Sequence, residues 1–366
     1  MSDGPSTLAG RVSDAAGGLS PAYFALVMAT GIISIGLRLE GFALLSLLLL
    51  IVAVVAVVAL IALTGWRLVI ARSAIAEDFT DPRRGFGFFT FVAGVNVLGA
   101  RLSLDGHYVW TAVLLAVAGA GWVVFGYLIP WTAVLGRSVR PVVASANGTW
   151  FLCVVASQSV AVSAATLEPI AHGWRHDLAL LAVLSWSLGV FLYAVVGAVV
   201  VMRMLLYEVT PEGLGPAYWV AMGAAAITVL AGSRTIEMAQ TPMVNATRGL
   251  VSGMSVMFWA FATWLIPALL GAGWWRHRAS RHSVPLRYDA EIWGLIFPLG
   301  MYAVASSNLG KADRLPIAGA IGRVWIWLAF AAWLITFIAM TTHLIRTVWT
   351  CPNVSGSRAR ADGGVG

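Results

Sequence analysis

The sequence predicts an all-α integral membrane protein: ten transmembrane helices forming five helical hairpins, with five inner helices around a central pore and five outer helices. Three observations carry that prediction. Of the 366 residues 60% are apolar and only 11% charged, and the mean hydropathy is +0.86, far from the balance of a soluble domain. Apolar runs of about 20 residues, enough to cross a bilayer, follow one another so closely that no separate soluble domain fits between them. The runs also alternate in polarity, the odd-numbered ones carrying hydroxyl and amide side chains that the even-numbered ones mostly lack.

The first run, Pro21 to Leu39, carries Thr30 and Ser34 and ends on Ile-Gly-Leu-Arg38. The second, Phe42 to Leu63, is nearly all Leu, Val and Ala, a surface suited to lipid. The stretch GWRLVIARSAIAEDFTDPRRG that follows is the one long connection and is polar enough to lie on the membrane surface. It leads into the third run, Phe86 to Ala100, which holds Thr90 and Asn96 and ends on Leu-Gly-Ala-Arg101. The fourth, Tyr108 to Leu128, is again almost wholly apolar, whereas the fifth, Ala146 to Leu167, carries Ser157, Gln158 and Ser159. Leu178 to Met202 is the sixth; the seventh, Ala217 to Ser233, holds Thr228 and runs into Arg234. Leu250 to Leu270 is the eighth, Ile292 to Leu309 the ninth, with Ser306, Ser307 and Asn308 before Lys311, and Val324 to Ile345 the tenth.

The basic residues that close the first, third, seventh and ninth runs recur at related spacings, which reads as an internal repeat of one hairpin type about an axis along the membrane normal. Arg38, Arg101, Arg234 and Lys311 would then form an outer basic ring; taken one at a time they are ordinary snorkelling anchors. The net charge of +7 comes from residues in connections between apolar runs, so it is a topology signal and not a nucleic-acid surface. Lys and Arg divide roughly two to one in favour of the side that holds the N-terminus, which predicts both termini in the cytoplasm and a multi-pass protein of the plasma membrane. Residues 1–19 lack a basic start followed by an apolar core, so they read as a cytoplasmic tail without a cleaved signal. Residues 20–349 form the membrane domain and 350–366 a flexible cytoplasmic tail. Cys153 and Cys351 are badly placed to pair.

No Asp or Glu falls in the central part of any run. A cation pathway or a proton relay generally needs a titratable group or arranged carbonyls at depth. Hydroxyls and amides such as Thr30, Ser34, Asn96, Gln158, Thr228 and Ser306 instead present donors to an anion if they face the interior. Gly31, Gly94, Gly223, Pro298 and Gly300 interrupt the odd runs, where a kink would free backbone groups to line a cavity or where small residues let helices pack closely. Pro298 is the most telling, since its ring cannot complete the helical ladder.

The segments SPAYFALVMATGIISIGLRL, DPRRGFGFFTFVAGVNVLGARL, NGTWFLCVVASQSVAV, YWVAMGAAAITVLAGS and IWGLIFPLGMYAVASSNLG, in this order from Ser20 to about Trp349, resemble the tellurite-resistance and C4-dicarboxylate transporter family. That family includes plant slow anion channels, fungal malate permeases and fungal sulfite exporters. The resemblance implies five inner helices around a pore, commonly a trimer with one pore per subunit, and an aromatic plug from the ninth helix. Phe297 in IFPLG is the residue here that looks like that plug, with Gly31 and its inner-helix counterparts making room for the ring. Long regulatory tails like those of the plant channels are absent from the sequence.

His172 and His176, four apart in AHGWRH, are the only pair that suggests a metal, and an integral membrane enzyme built on them is the alternative from another class. The leading expectation is transport of a small anion (C4-dicarboxylate, sulfite, a tellurite-type oxyanion or halide) with no cofactor. Within transport, a passive channel and a proton-coupled dicarboxylate carrier are the two options.

Overall fold

A computed structural model of the chain describes residues 17–136, 140–211, 213–239, 241–280, 288–312 and 315–348. The expected tails lie almost wholly outside these residues, as do Arg314 and most of the basic run after Arg278. Among the described residues, ten helices are long and apolar enough to cross a membrane: α1 Pro21–Leu39, α2 Ala43–Ile70, α3 Gly85–Ser103, α4 Tyr108–Leu135, α5 Gly148–Leu167, α6 His172–Leu206, α7 Pro216–Ile236, α8 Pro242–Ala279, α9 Ala290–Lys311 and α10 Pro316–Arg346. A short helix, Arg72–Thr80, joins α2 to α3. The odd-numbered helices match the expected runs closely. Several even-numbered ones overrun them, because helix continues into polar sequence that a hydropathy reading does not count; α8 also passes uninterrupted through Pro267.

Burial separates the two sets. The most apolar stretches of α1, α3, α5, α7 and α9 are 78, 78, 94, 83 and 83% buried, against 39, 17, 22, 11 and 28% for α2, α4, α6, α8 and α10. The odd helices pack on one another in the cyclic order α1, α3, α5, α7, α9 and back to α1, and each also packs on the even helix that follows it. The outer faces show Leu44, Val109, Leu205 and Ile335, residues that gain nothing from leaving lipid.

Each inner helix begins with a 3₁₀ turn, at Pro21–Phe24, Gly85–Phe88, Gly148–Phe151, Pro216–Tyr218 and Ala290–Ile292. Local chemistry sets these starts. Ser20, Asn147 and Asp289 accept from the backbone N–H two residues on, as N-caps do, and Pro21 and Pro216 occupy the first turn, where a missing N–H is harmless. The five turns touch in the same cyclic order as the helices, forming a closed rim. At that rim a Cβ on Gly87 would come within 3.1 Å of Ala22 N, and Gly148 has no room for one against the Ala217 carbonyl. Thr90 Oγ1 donates to Pro21 O (3.0 Å) and Gly87 O (2.7 Å) across the same junction.

Candidate functional site

Around the axis of the ring all five inner helices line a cavity of about 20 Å³, roughly the room of a single water. Ile32 and Ile35 of α1, Val97 and Ala100 of α3, Val162 of α5, Ile227 and Leu230 of α7 and Met301 of α9 make it apolar, and Asn96 and Ser159 are its two polar groups. Asn96 Nδ2 donates to Ser159 Oγ (3.0 Å), whose hydroxyl donates to Ala156 O (2.7 Å). Asn96 Oδ1 is buried without a hydrogen-bond partner. A side-chain amide can turn either its carbonyl or its NH₂ to such a space.

The other hydroxyls and amides read as interior-facing are engaged elsewhere. Thr30 accepts from Trp333 Nε1 of α10 (2.9 Å), and Ser306 accepts from Trp259 Nε1 of α8 (2.9 Å). Gln158 donates to Trp186 O of α6 (3.1 Å), and Thr228 Oγ1 donates to Ala224 O within its own helix (2.8 Å). Ser34 and Ser46 exchange hydroxyl-to-carbonyl bonds of 2.7 Å between α1 and α2. All but the Thr228 bond fasten inner helices to outer ones, the cheapest place for a polar group where no water competes.

The glycines mark close approaches between inner helices. A Cβ on Gly31 would lie 2.7 Å from Val97 Cγ1 of α3, one on Gly94 3.3 Å from Phe24 O of α1, and one on Gly300 2.8 Å from Ile32 Cγ2 of α1. On Gly223 it would meet Pro298 Cγ at 2.8 Å, so Gly223 makes room for the proline ring. Helix α9 runs continuously through Pro298. Phe297 is 1% exposed.

At the ends of the inner helices away from the rim, Arg38, Arg101 and Arg234 are paired. Arg101 is 1% exposed; its Nη1 binds Asp105 Oδ2 (2.7 Å) and its Nε donates to Ser34 Oγ (2.9 Å) and Ser46 Oγ (3.0 Å). Arg38 Nε reaches the other oxygen of Asp105 (3.1 Å), and Arg234 lies 3.6 Å from Glu237. Lys311 is exposed. Partial desolvation raises the Asp105 carboxyl, but hydrogen bonds and charge from Arg101 and Arg38 outweigh it and hold the group below the ordinary carboxylate value. Helix α5, the third inner helix, which lacks a basic end of its own, has Arg175 of α6 at 3.2 Å from its buried Glu168. His172 lies against that same Arg175 (3.4 Å), a cationic neighbour that disfavours a metal ligand. Among the described residues no three His, Cys, Asp or Glu side chains gather as a metal site.

The rim, which the hydropathy pattern does not single out, is spelled out by SPAYF, NGTWF and GPAYW: four residues after each turn's cap stands Phe24, Phe88, Phe151, Trp219 or Trp293. Three arginines stand close to it. Tyr218 is within electrostatic reach of Arg203 and Arg83, and a Cβ on Gly215 would lie 3.4 Å from Arg276 Nη1 and 3.3 Å from Glu291 Oε2.

A ring of five buried helices within five lipid-facing ones defines a polytopic membrane protein. The chain belongs to the voltage-dependent anion channel family, which it matches over residues 18–341, a family that moves anions across membranes. An uncharacterized membrane protein of Mycobacterium tuberculosis is 52% identical over 172 residues, 47% of this chain and 86% of that protein. Two uncharacterized transporters of Methanocaldococcus jannaschii are 26% identical over 331 residues (88% of this chain, 93% of the relative) and 24% identical over 251 residues (68% and 71%).

Proposed function

We propose that the protein passes small anions along the axis of the inner ring, and that Phe297 closes that path at rest. The carrying observation is the cavity to which every inner helix contributes a side chain. The faces of α9 support the role of Phe297. Pro298 abuts α7 and Gly300 abuts α1, Tyr302 shares a 2.7 Å hydrogen bond with Thr263 of α8, Ser306 bonds Trp259 of α8, and Ser307 Oγ sits where a Gly322 Cβ of α10 would be. At about 100° per residue, Phe297 falls between the α7 and α1 directions, on the face of Met301, which lines the cavity one turn away. An apolar ring followed by an apolar layer blocks hydrated ions by size and by dewetting.

Charge selectivity then comes from the ends. Five inner-helix N-termini meet at the rim, each the positive end of a helix dipole, with Arg83, Arg203 and Arg276 nearby; Arg234 and Lys311 contribute at the far end. Within the cavity only Asn96 and Ser159 can donate, which favours weak binding and passive flow. C4-dicarboxylate, sulfite, tellurite-type oxyanions and halides are the candidate cargo. On the family resemblance and the distribution of Lys and Arg, we take the assembly as a homotrimer with a pore in each subunit, in the plasma membrane with both termini cytoplasmic. Flux of these anions and of potassium into liposomes holding the purified protein tests the reading. Anion flux with potassium excluded is expected; a reversal potential that follows the potassium gradient overturns it.

A further inference from the structure

A second cavity, of about 390 Å³, opens on the flank of the protein, within the range of about 300–1,000 Å³ typical of small-molecule sites. Phe24 of α1, Gly65 and Leu68 of α2, Phe79 of the short helix, Phe88 of the rim and Phe125 of α4 wall it. Phe79 stacks on Phe88 with ring centroids 3.9 Å apart. The charged exception is Arg67, whose guanidinium is held by Asp78 (2.6 Å) and Gly17 O (3.0 Å). Asp78 also binds Arg84 (2.8 Å), whose side chain stays 43% exposed, so one carboxylate serves two guanidiniums. Arg72 is exposed and donates to Leu68 O (3.1 Å); Glu77, Asp81 and Arg83 complete the local charges. Trp66, 52% exposed, marks this end as headgroup depth.

We propose that this cavity holds an acyl chain of a membrane phospholipid, with the lipid phosphate against Arg84 and Arg72. An apolar space of this kind does not hold water, and α2 and α4, which frame it, are the helices turned toward lipid, so the bilayer is the medium that reaches it. A buried chain there bears on Pro21 and Phe24 of α1 and Phe88 at the start of α3, bracing two of the five rim turns. The inference rests on this geometry and not on the transport reading.

Gly65 provides the test, because a Cβ built there meets nothing within 4 Å. Gly65→Phe should fill the cavity without displacing the fold, and Gly65→Leu serves if the larger ring lowers the yield of folded protein. Purified protein is placed in bilayers containing a phospholipid with a photoreactive acyl chain, and labelled peptides are mapped. Wild type should label at Phe79, Phe88 and Phe125, and Gly65→Phe should label about tenfold less, a ~1.4 kcal/mol change in occupancy. Gly197→Phe on α6, also facing open space, should label as wild type does. Photoreactive diacylglycerol should label about fivefold less than phospholipid, the equivalent of ~1 kcal/mol for one cation near the surface. Equal labelling of Gly65→Phe and wild type, absence of label at these rings, or crosslinks to a second copy of the chain would overturn the site. Equal labelling by diacylglycerol would overturn the phosphate contact.

Discussion

Phe297→Ala separates a gate from a packing residue. The ring is 1% exposed, and removing a buried Phe side chain from a soluble core costs about 3–5 kcal/mol, so some loss of thermal stability accompanies either role. The consequence for flux differs. Met301 stands one turn along on the same face, bordering the cavity of about 20 Å³, so the space vacated by a gate ring joins that cavity and lengthens the open path. Anion flux should then rise at least tenfold, corresponding to a barrier lower by ~1.4 kcal/mol. The assay is anion efflux from liposomes at equal protein density, alongside size-exclusion and thermal unfolding of the same preparation; Phe297→Leu should fall between. A monodisperse Phe297→Ala protein with lowered melting temperature and wild-type flux refutes the reasoning. Opening seen only when Met301→Ala is added would move the closure to the apolar layer, and the assignment of Phe297 would equally fail.

Arg101→Gln should destabilise the protein, since it strips a buried guanidinium from Asp105, Ser34 and Ser46, whereas Arg234→Gln with Lys311→Gln should leave folding intact. The latter pair should lower anion flux chiefly below ~0.1 M salt, where charges at about 10 Å still interact; flux unchanged at every salt concentration removes these two residues from the mechanism. Because the Asp105 pKa is depressed, its contribution to stability is complete above the unfolded carboxylate value of about 3.9 and is lost only as pH falls through the lower folded value. The melting difference between wild type and Asp105→Asn should therefore be constant from pH 8 to about 5 and shrink below about 4; a difference that vanishes near neutrality contradicts the pairing. Gly223→Ala would put a methyl 2.8 Å from Pro298 Cγ and should cost about 1–3 kcal/mol as overpacking, read by thermal unfolding; an unchanged midpoint would mean that α7 and α9 separate freely.

Hydropathy made the ten spans legible, and the hydroxyls and amides of the odd runs distinguished inner from outer helices. The direction each polar side chain takes was not legible, for a physical reason. An inner helix is surrounded by protein on all sides, as in α5, where Val154, Val155, Ala156, Ser157 and Gln158 are all fully buried, so it has no amphipathic period to read. Thr30 and Gln158 look alike in sequence to Asn96, yet the first two bind Trp333 and the Trp186 carbonyl while Asn96 reaches the axis. Sign of charge was readable but net field was not, because the partner that ties Arg38 to Arg101 is Asp105, distant in sequence from the first.

Satisfying polar groups between inner and outer helices leaves the axis apolar, and this divides the energetics of passage into two parts. On the proposed path, an anion near the middle would meet few donors and would have to shed water to pass Phe297 and the layer around Met301, a barrier set by packing and largely blind to salt. At the ends, helix termini and arginines would raise the local anion concentration, a term that screening removes. Sites that act on separate terms combine additively. Loss of the end charges should therefore scale flux by the same factor whether or not Phe297 is present, and a factor that depends on the ring would mean that charge and closure are coupled through a shared movement of the helices.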